Sequence, residues 1–192
     1  TMEFSEVGFW KIKVQVKSDE FQKSAETGIL VKSATESPGI GEAAPITKTK
    51  IGLKDTDLRL ITTAPEPDPD LYSISFDEAI KTGRPTVISF STPAYCQSGA
   101  CGPQTQVLSE LEDKYKGRVN FIHVEIFDNP AEMLASGDAS LGIESPVIHS
   151  WDFHTEPWTF TINGSGIVIG RFEGFVTAEE IEEYLLPTLN AA

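Results

Sequence analysis

Apolar and polar residues alternate along the first part of the chain as they do in half-buried strands. The alternation is most regular over residues 8–17, and residues 28–32 predict a second, short strand. Two strands do not form a stable sheet alone, so we interpret residues 1–40 as part of a β-sandwich. Residues 41–72 contain two stretches rich in proline or glycine and predict a linker, with an extended segment near residues 58–62.

From residue 73 to residue 192 the pattern changes to an alternation of helices and strands. Capping boxes at residues 75–78 and 177–180 predict two of the helix starts. The predicted elements are a short helix ending near Gly83, strand 85–91, helix 103–116, strand 119–127, a helix near 131–135, strands 158–162 and 167–173, and a last helix. This order predicts an α/β fold whose mixed sheet carries helices on both faces.

The two cysteines of the chain, Cys96 and Cys101, lie between a predicted buried strand and a predicted helix start. A helix N-terminus offers free N–H groups and a positive dipole end, which favour a thiolate over a thiol. A redox-active pair is one interpretation, and a structural disulfide or two buried thiols is the other. Two cysteines five residues apart in one helix would lie about 7.5 Å apart along its axis, too far for a disulfide. If the cysteines pair, Cys96 must therefore lie on the loop. Pro103 then fits the first helical position.

Composition and charge exclude several classes of function. With 40% hydrophobic and 23% charged residues, the chain has the composition of a globular protein. A formal net charge of −14 argues against a nucleic-acid partner. No apolar run approaches the ~18 residues of a membrane span. Residues 1–6 lack the features of a signal peptide, and the chain is interpreted as beginning part-way through a domain.

Several motifs together resemble the thioredoxin family. Residues 113–119 are similar to the end of its active-site helix, residues 128–130 to the turn that follows the next strand, and residues 151–160 to the stretch with the family's cis-proline. The Cys-Gln-Ser-Gly-Ala-Cys-Gly-Pro loop also resembles a bacterial subgroup of exported thioredoxin-like proteins. The resemblance implies a three-layer α/β/α fold and a thiol–disulfide oxidoreductase without a cofactor. It further implies protein thiols or disulfides as partners and an extracytoplasmic location.

The same resemblance assigns the site residues. It makes Cys96 the attacking and Cys101 the resolving cysteine, whereas a rival alignment reverses these roles. Ser89 and His123 stand where typical thioredoxins have a buried Asp and Lys that assist proton transfer, so deprotonation must be managed differently here. The substrate-binding positions that it implies are Tyr95, Glu156, Pro157 and Trp158, with a cis bond before Pro157.

The Glu156 side chain has two possible orientations. A carboxylate close to the cysteines would raise the pKa of a thiol, whereas a carboxylate that points to solvent would not affect it. The thioredoxin family tends to place an uncharged residue at this position.

Two other functions are compatible with the sequence. Sco-like copper chaperones use this fold with two cysteines and a histidine, which implies Cys96, Cys101 and His154 as an alternative metal set. A non-catalytic binding module with a vestigial thioredoxin domain is the third reading. Independently, the apolar face predicted around Ile12 and Val14 must be covered, which suggests a homodimer through residues 1–40 or packing on the chain's own second domain.

Overall fold

The computed structural model describes residues 4–19 and 21–190, and the chain divides into two compact units, residues 1–36 and 37–192. The first unit is a hairpin in which β1 (Gly8–Lys17) pairs antiparallel with β2 (Gln22–Val31). The second strand is therefore longer than the predicted segment 28–32. The Phe9 ring lies over Gly28, and a Cβ atom there would meet that ring at 2.1 Å, so a larger residue would require this exposed ring to move.

The second unit is built on a four-stranded mixed sheet in the order β4-β3-β5-β6. β3 pairs in parallel with β4 and antiparallel with β5, which pairs antiparallel with β6. The strands are β3 (Thr86–Ser91), β4 (Asn120–Glu125), β5 (Trp158–Ile162) and β6 (Val168–Glu173), and the helices are α1 (Phe76–Ala79), α2 (Cys101–Tyr115), α3 (Pro130–Ser136), α4 (Pro146–Trp151) and α5 (Ala178–Asn190).

Each face of the sheet buries a separate apolar cluster. Alternation along β3 directs Ile88 and Phe90 to the face covered by α1 and α4, and Val87 to the face covered by α2 and α5. The predicted mixed sheet with helices on both faces is confirmed. No helix among residues 4–19 and 21–190 is long and apolar enough to cross a membrane.

Several sequence-based predictions of individual elements are wrong. Residues 58–62 are not extended, because Leu58–Leu60 form a 3-10 turn capped by the Asp57 carboxylate. The serine at residue 75 does not close a capping box, since its hydroxyl accepts the Thr49 N–H at 2.9 Å. The box at residues 177–180 does form.

The second unit starts at Ser37, and the segment expected to be a linker packs on it. Ala44 is buried and its N–H donates to the Gly166 carbonyl at 2.9 Å. Thr49 is buried as well, and its hydroxyl accepts the N–H of Phe76 at the start of α1. The segment therefore completes the cover over α1 and the edge of the sheet.

Helix α4 was not predicted from the sequence, and its last residue is central to the core. The Trp151 side chain is fully buried, with ring centroids 4.8 Å from both Phe90 and Phe160. Its indole N–H donates to the Thr47 hydroxyl at 3.1 Å. This tryptophan joins the linker segment, the sheet and α4.

Replacing Trp151 with alanine should lower the free energy of unfolding by about 3–5 kcal/mol, because it leaves a cavity among packed rings. Urea denaturation followed by circular dichroism measures this change. Phe175→Ala is the control, since that ring is 52% exposed and its loss should change stability by less than about 0.5 kcal/mol. Equal effects of the two variants would contradict this account of the core.

Candidate functional site

A disulfide bond joins Cys96 and Cys101 where β3 gives way to α2, and their Cα atoms are 5.9 Å apart. Cys101 is the first residue of α2, after the N-cap Ala100. Pro103 is therefore the third helical residue, not the first. Gly99 has a φ of +70°, which lets the loop turn back so that the Cys101 N–H donates to Cys96 Sγ at 3.3 Å.

The two sulfurs differ in accessibility. Cys101 is fully buried, whereas Cys96 is half-buried and its Sγ lies 3.2 Å from the Ser98 hydroxyl. A reaction partner can therefore reach Cys96 much more readily than Cys101. This asymmetry is the property expected of one attacking and one resolving cysteine.

The Glu156 carboxylate is turned toward the cysteines and not toward solvent. Its Oε2 lies 3.8 Å from Cys101 Sγ and accepts the Thr92 N–H at 3.1 Å. Burial raises the pKa of Glu156, and the Thr92 hydrogen bond offsets part of that rise. The Glu156–Pro157 peptide bond is cis. Glu156 thus brings an acid–base group to the buried sulfur.

The other two expected substrate-binding residues have structural contacts. The Tyr95 hydroxyl donates to the Met133 carbonyl at 2.6 Å, which fixes the residue before Cys96. Trp158 lies in the core cluster on β5, with the Arg171 guanidinium 4.9 Å from its ring. Its side chain therefore packs within the protein, because β5 directs it into the interior.

Polar residues of β3 and β4 lie in the interior near this site. The Ser89 hydroxyl is 3.0 Å from the Thr159 hydroxyl. His123 is hydrogen-bonded at both ring nitrogens, each at 2.8 Å, to Tyr72 and Ser91. Burial lowers the pKa of His123 to about 3, so the ring is neutral at physiological pH. Neither position supplies a charge to the cysteines.

A second buried carboxylate, Glu125, was missed by sequence reasoning. Its Oε2 accepts both the N–H and the hydroxyl of Thr63 at 2.7 Å, and the Thr63 hydroxyl is 3.1 Å from that of Thr92. Burial raises the pKa of Glu125 to about 7, against the lowering effect of these hydrogen bonds. The signal available in the sequence was an acidic residue at the end of an otherwise buried strand.

Glu125 also borders a cavity of about 180 Å³ that extends toward the exposed Lys48 and Lys50. Its Oε1 has no hydrogen-bond partner among the described residues. Through Thr63 and Thr92, this carboxylate is connected to the chain that leads into the cysteine loop. Thr63 comes from the segment that was expected to be a linker.

The proposed copper set is not assembled as expected. Cys96, Cys101 and Glu156 place one donor atom each within 4.8 Å of the others. His154 is not a member of this group, and its Nε2 lies 4.0 Å from Asp152 on an exposed stretch. Glu156, and not His154, therefore lies beside the two sulfurs.

The family model of the thioredoxin-like domain matches residues 72–187. The chain belongs to this family. No curated protein matches the chain. The thioredoxin-like fold predicted from the motifs is confirmed by this match and by the mixed sheet.

Two solved structures are similar to this chain to different degrees. One is a candidate thiol:disulfide interchange protein DsbE from Chlorobium tepidum, 16% identical, with a TM-score of 0.54, covering 80% of this chain and 99% of that one. Another is StoA from Bacillus subtilis, 18% identical, with a TM-score of 0.42, covering 65% and 93%. At 16% identity the likeness to the Chlorobium structure concerns the fold alone.

The raised pKa of Glu125 predicts a specific dependence of stability on pH. Between pH 4.5, the ordinary pKa of a glutamate side chain, and about pH 7, the folded thioredoxin-like domain holds a proton on Glu125 that the unfolded chain has lost. This contribution is complete below pH 4.5 and disappears as pH rises through 7, by roughly 3 kcal/mol in total.

Glu125→Gln should remove this contribution. Urea denaturation at a series of pH values measures the free energy of unfolding of the wild type and of this variant. The wild-type value, relative to that of the variant, should fall between pH 4.5 and about 7. Glu110→Gln, at an exposed position on α2, serves as a control that should keep the wild-type profile. A Glu125→Gln profile parallel to that of the wild type would show that the buried carboxyl does not titrate here.

Proposed function

We propose that this thioredoxin-like domain is a thiol–disulfide oxidoreductase that acts on protein thiols or disulfides through Cys96 and Cys101. The observation that carries the proposal is a disulfide at a helix start with one accessible and one buried sulfur. Three features of the site favour thiol–disulfide exchange. They are the free N–H groups at the start of α2, the solvent access of Cys96 and the carboxylate beside Cys101.

In the reducing direction, the Cys96 thiolate attacks one sulfur of a substrate disulfide, and the other substrate sulfur leaves as a thiolate. The new bond is a mixed disulfide between Cys96 and the substrate. The Cys101 thiolate then attacks Cys96 Sγ and releases the second substrate thiolate. Two electrons pass from the dithiol to the substrate, and the same steps run backward when the protein oxidises a dithiol.

Glu156 is positioned to act as the acid–base group for the Cys101 thiol. Its Oε2 is 3.8 Å from the sulfur, so it can accept the thiol proton as Cys101 becomes a nucleophile. The carboxyl is half-buried, which lets it exchange that proton with solvent. This role replaces the buried Asp of typical thioredoxins, whose position is occupied by Ser89.

We propose that the substrate chain lies in a groove of about 390 Å³ beside the disulfide. Gln97 and Ser98 of the cysteine loop line one side, and Phe153 and Glu156 line the other. The backbone before Pro157 is available to an extended substrate segment, and Tyr95 holds the loop in place. Trp158 supports this edge from the interior.

Single serine variants should separate the roles of the two cysteines. Cys96→Ser should abolish reduction of insulin by the protein, because the accessible nucleophile is gone. Cys101→Ser should still attack but should not resolve, so a mixed disulfide with the substrate accumulates. Non-reducing electrophoresis and mass spectrometry detect this adduct.

The outcomes distinguish the rival functions. An adduct formed by Cys96→Ser and not by Cys101→Ser would show that Cys101 is the attacking cysteine and Cys96 the resolving one. Full activity without either cysteine would contradict the proposal. An intact, reducible disulfide with no exchange activity in the wild type would instead support a non-catalytic binding module.

We also propose that the protein works outside the cytoplasm, in a bacterium. The loop that carries Cys96 and Cys101 resembles that of exported bacterial thioredoxin-like proteins, and this resemblance supports the proposed location. The disulfide alone does not, because a catalytic disulfide also forms in the cytosol.

A further proposal concerns the hairpin, whose apolar face we place at the contact between two copies of the chain. Val14 and Val16 are 54% and 51% exposed and share this face with Trp10 and Ile12. A two-stranded hairpin is marginally stable in water, and burying one such side chain contributes roughly 1.5–3 kcal/mol. Pairing two hairpins face to face buries these apolar side chains and stabilises both hairpins.

Light scattering during gel filtration should show a dimer for the full chain and a monomer for a shortened chain that starts at Ser37. Val14→Lys should dissociate the dimer because it introduces a charge on the apolar face. Gln15→Lys adds the same charge on the opposite face and should leave the dimer intact. A monomeric full chain would rule out the dimer.

A further inference from the structure

Three donor atoms of different residues converge at the start of α2. They are the sulfurs of Cys96 and Cys101 and a carboxylate oxygen of Glu156, all within 4.8 Å of one another. The proposed function uses these groups in turn. Reduction would free both sulfurs to act as ligands, and the Thr92 N–H holds the Glu156 carboxylate beside them.

The separation of the Glu156 carboxylate from Cys101 Sγ matches tetrahedral zinc coordination, and reduction must first separate the two sulfurs, which are bonded to each other in this structure. Zinc lies about 2.3 Å from a thiolate sulfur and about 2.1 Å from a carboxylate oxygen, so two such ligands at a tetrahedral angle are about 3.6 Å apart. Cys101 Sγ and Glu156 Oε2 are 3.8 Å apart. Four residues separate the two cysteines, a spacing found among structural zinc ligands.

We propose that the reduced protein binds one zinc ion through Cys96, Cys101 and Glu156. The inference rests on the proposed function in one respect, namely that the disulfide can be reduced. The oxidised protein lacks both thiolate donors and does not bind the ion. Because Cys96 and Glu156 are half-buried, water can reach the ion and supply a fourth ligand.

The donor set favours zinc over monovalent copper. Two soft thiolates and one hard carboxylate suit a borderline cation such as Zn²⁺, whereas Cu(I) prefers thiolate, thioether or imidazole ligands. The Cys101 N–H that faces Cys96 Sγ at 3.3 Å stabilises a thiolate at that sulfur. A divalent cation also relieves the repulsion among three negative groups, on a chain whose net charge is already −14.

Zinc binding would link the redox state of the protein to metal availability. A metal-bound thiolate is held by the ion and is not free to attack a disulfide. Zinc therefore stabilises the dithiol form by mass action, and oxidation to the disulfide releases the ion.

The test uses the full chain, reduced with a phosphine and kept without oxygen. Titration with Co²⁺ should give sulfur-to-cobalt charge-transfer bands and the d–d bands of a tetrahedral site at one ion per chain, and Zn²⁺ should displace the cobalt. The oxidised protein should give none of these bands. Removing an outer-shell partner of a metal lowers affinity about 10–100-fold, so Glu156→Gln should weaken Zn²⁺ binding at least about tenfold.

His154→Ala is the matched control, since it removes a nearby donor that does not belong to the set, and its affinity should equal that of the wild type. Undiminished binding by Glu156→Gln, weakened binding by His154→Ala, or bands in the oxidised protein would each overturn the proposed site. Thiol counting after reduction separates the two proposals. Two free thiols without metal binding refute the zinc site alone, whereas no free thiols refute the oxidoreductase.

Discussion

The contact among Glu156, Thr92 and Cys101 is the constraint on which the rest of the site depends. Thr92 directly follows strand β3, Cys101 begins helix α2, and Glu156 lies just before strand β5. One carboxylate oxygen accepts the Thr92 N–H and lies against the buried sulfur. The relative position of three distant segments is therefore fixed at the point where chemistry occurs.

This arrangement sets two electrostatic effects against each other at Cys101. A helix N-terminus stabilises a thiolate by about 0.3–1 kcal/mol. Two negative charges about 4 Å apart repel by about 4 kcal/mol at an effective dielectric constant near 20. The repulsion is the larger effect, so Cys101 and Glu156 do not both carry a negative charge unless a proton or a cation lies between them. Cys96 Sγ also lies within 4.8 Å of a carboxylate oxygen of Glu156. Cys96 differs from Cys101 in that it is more accessible to solvent, which screens the repulsion, and in that its sulfur accepts the N–H of Cys101.

The sequence was informative wherever a local rule applied. The strand at residues 158–162 was predicted to the residue. The strand–loop–helix pattern located both cysteines at a helix start but left open whether they pair, and the structure shows that they do. Helix α4 was missed because its stability comes from Trp151 packing among distant rings and not from local periodicity. Glu125 was missed for the same reason, since only the folded chain shows that Thr63 satisfies it. His154 was chosen by its distance from Pro157 along the chain, which does not determine which side chain turns inward.

The most direct test of the account is the equilibrium of the Cys96–Cys101 pair with glutathione buffers of graded composition. Alkylation followed by mass spectrometry reports how many thiols are free at each ratio of reduced to oxidised glutathione. The account predicts one two-electron transition in which both labels appear together. A protein that gains no label at any ratio, although the unfolded and reduced chain gains two, would contradict it, as would one that gains a single label.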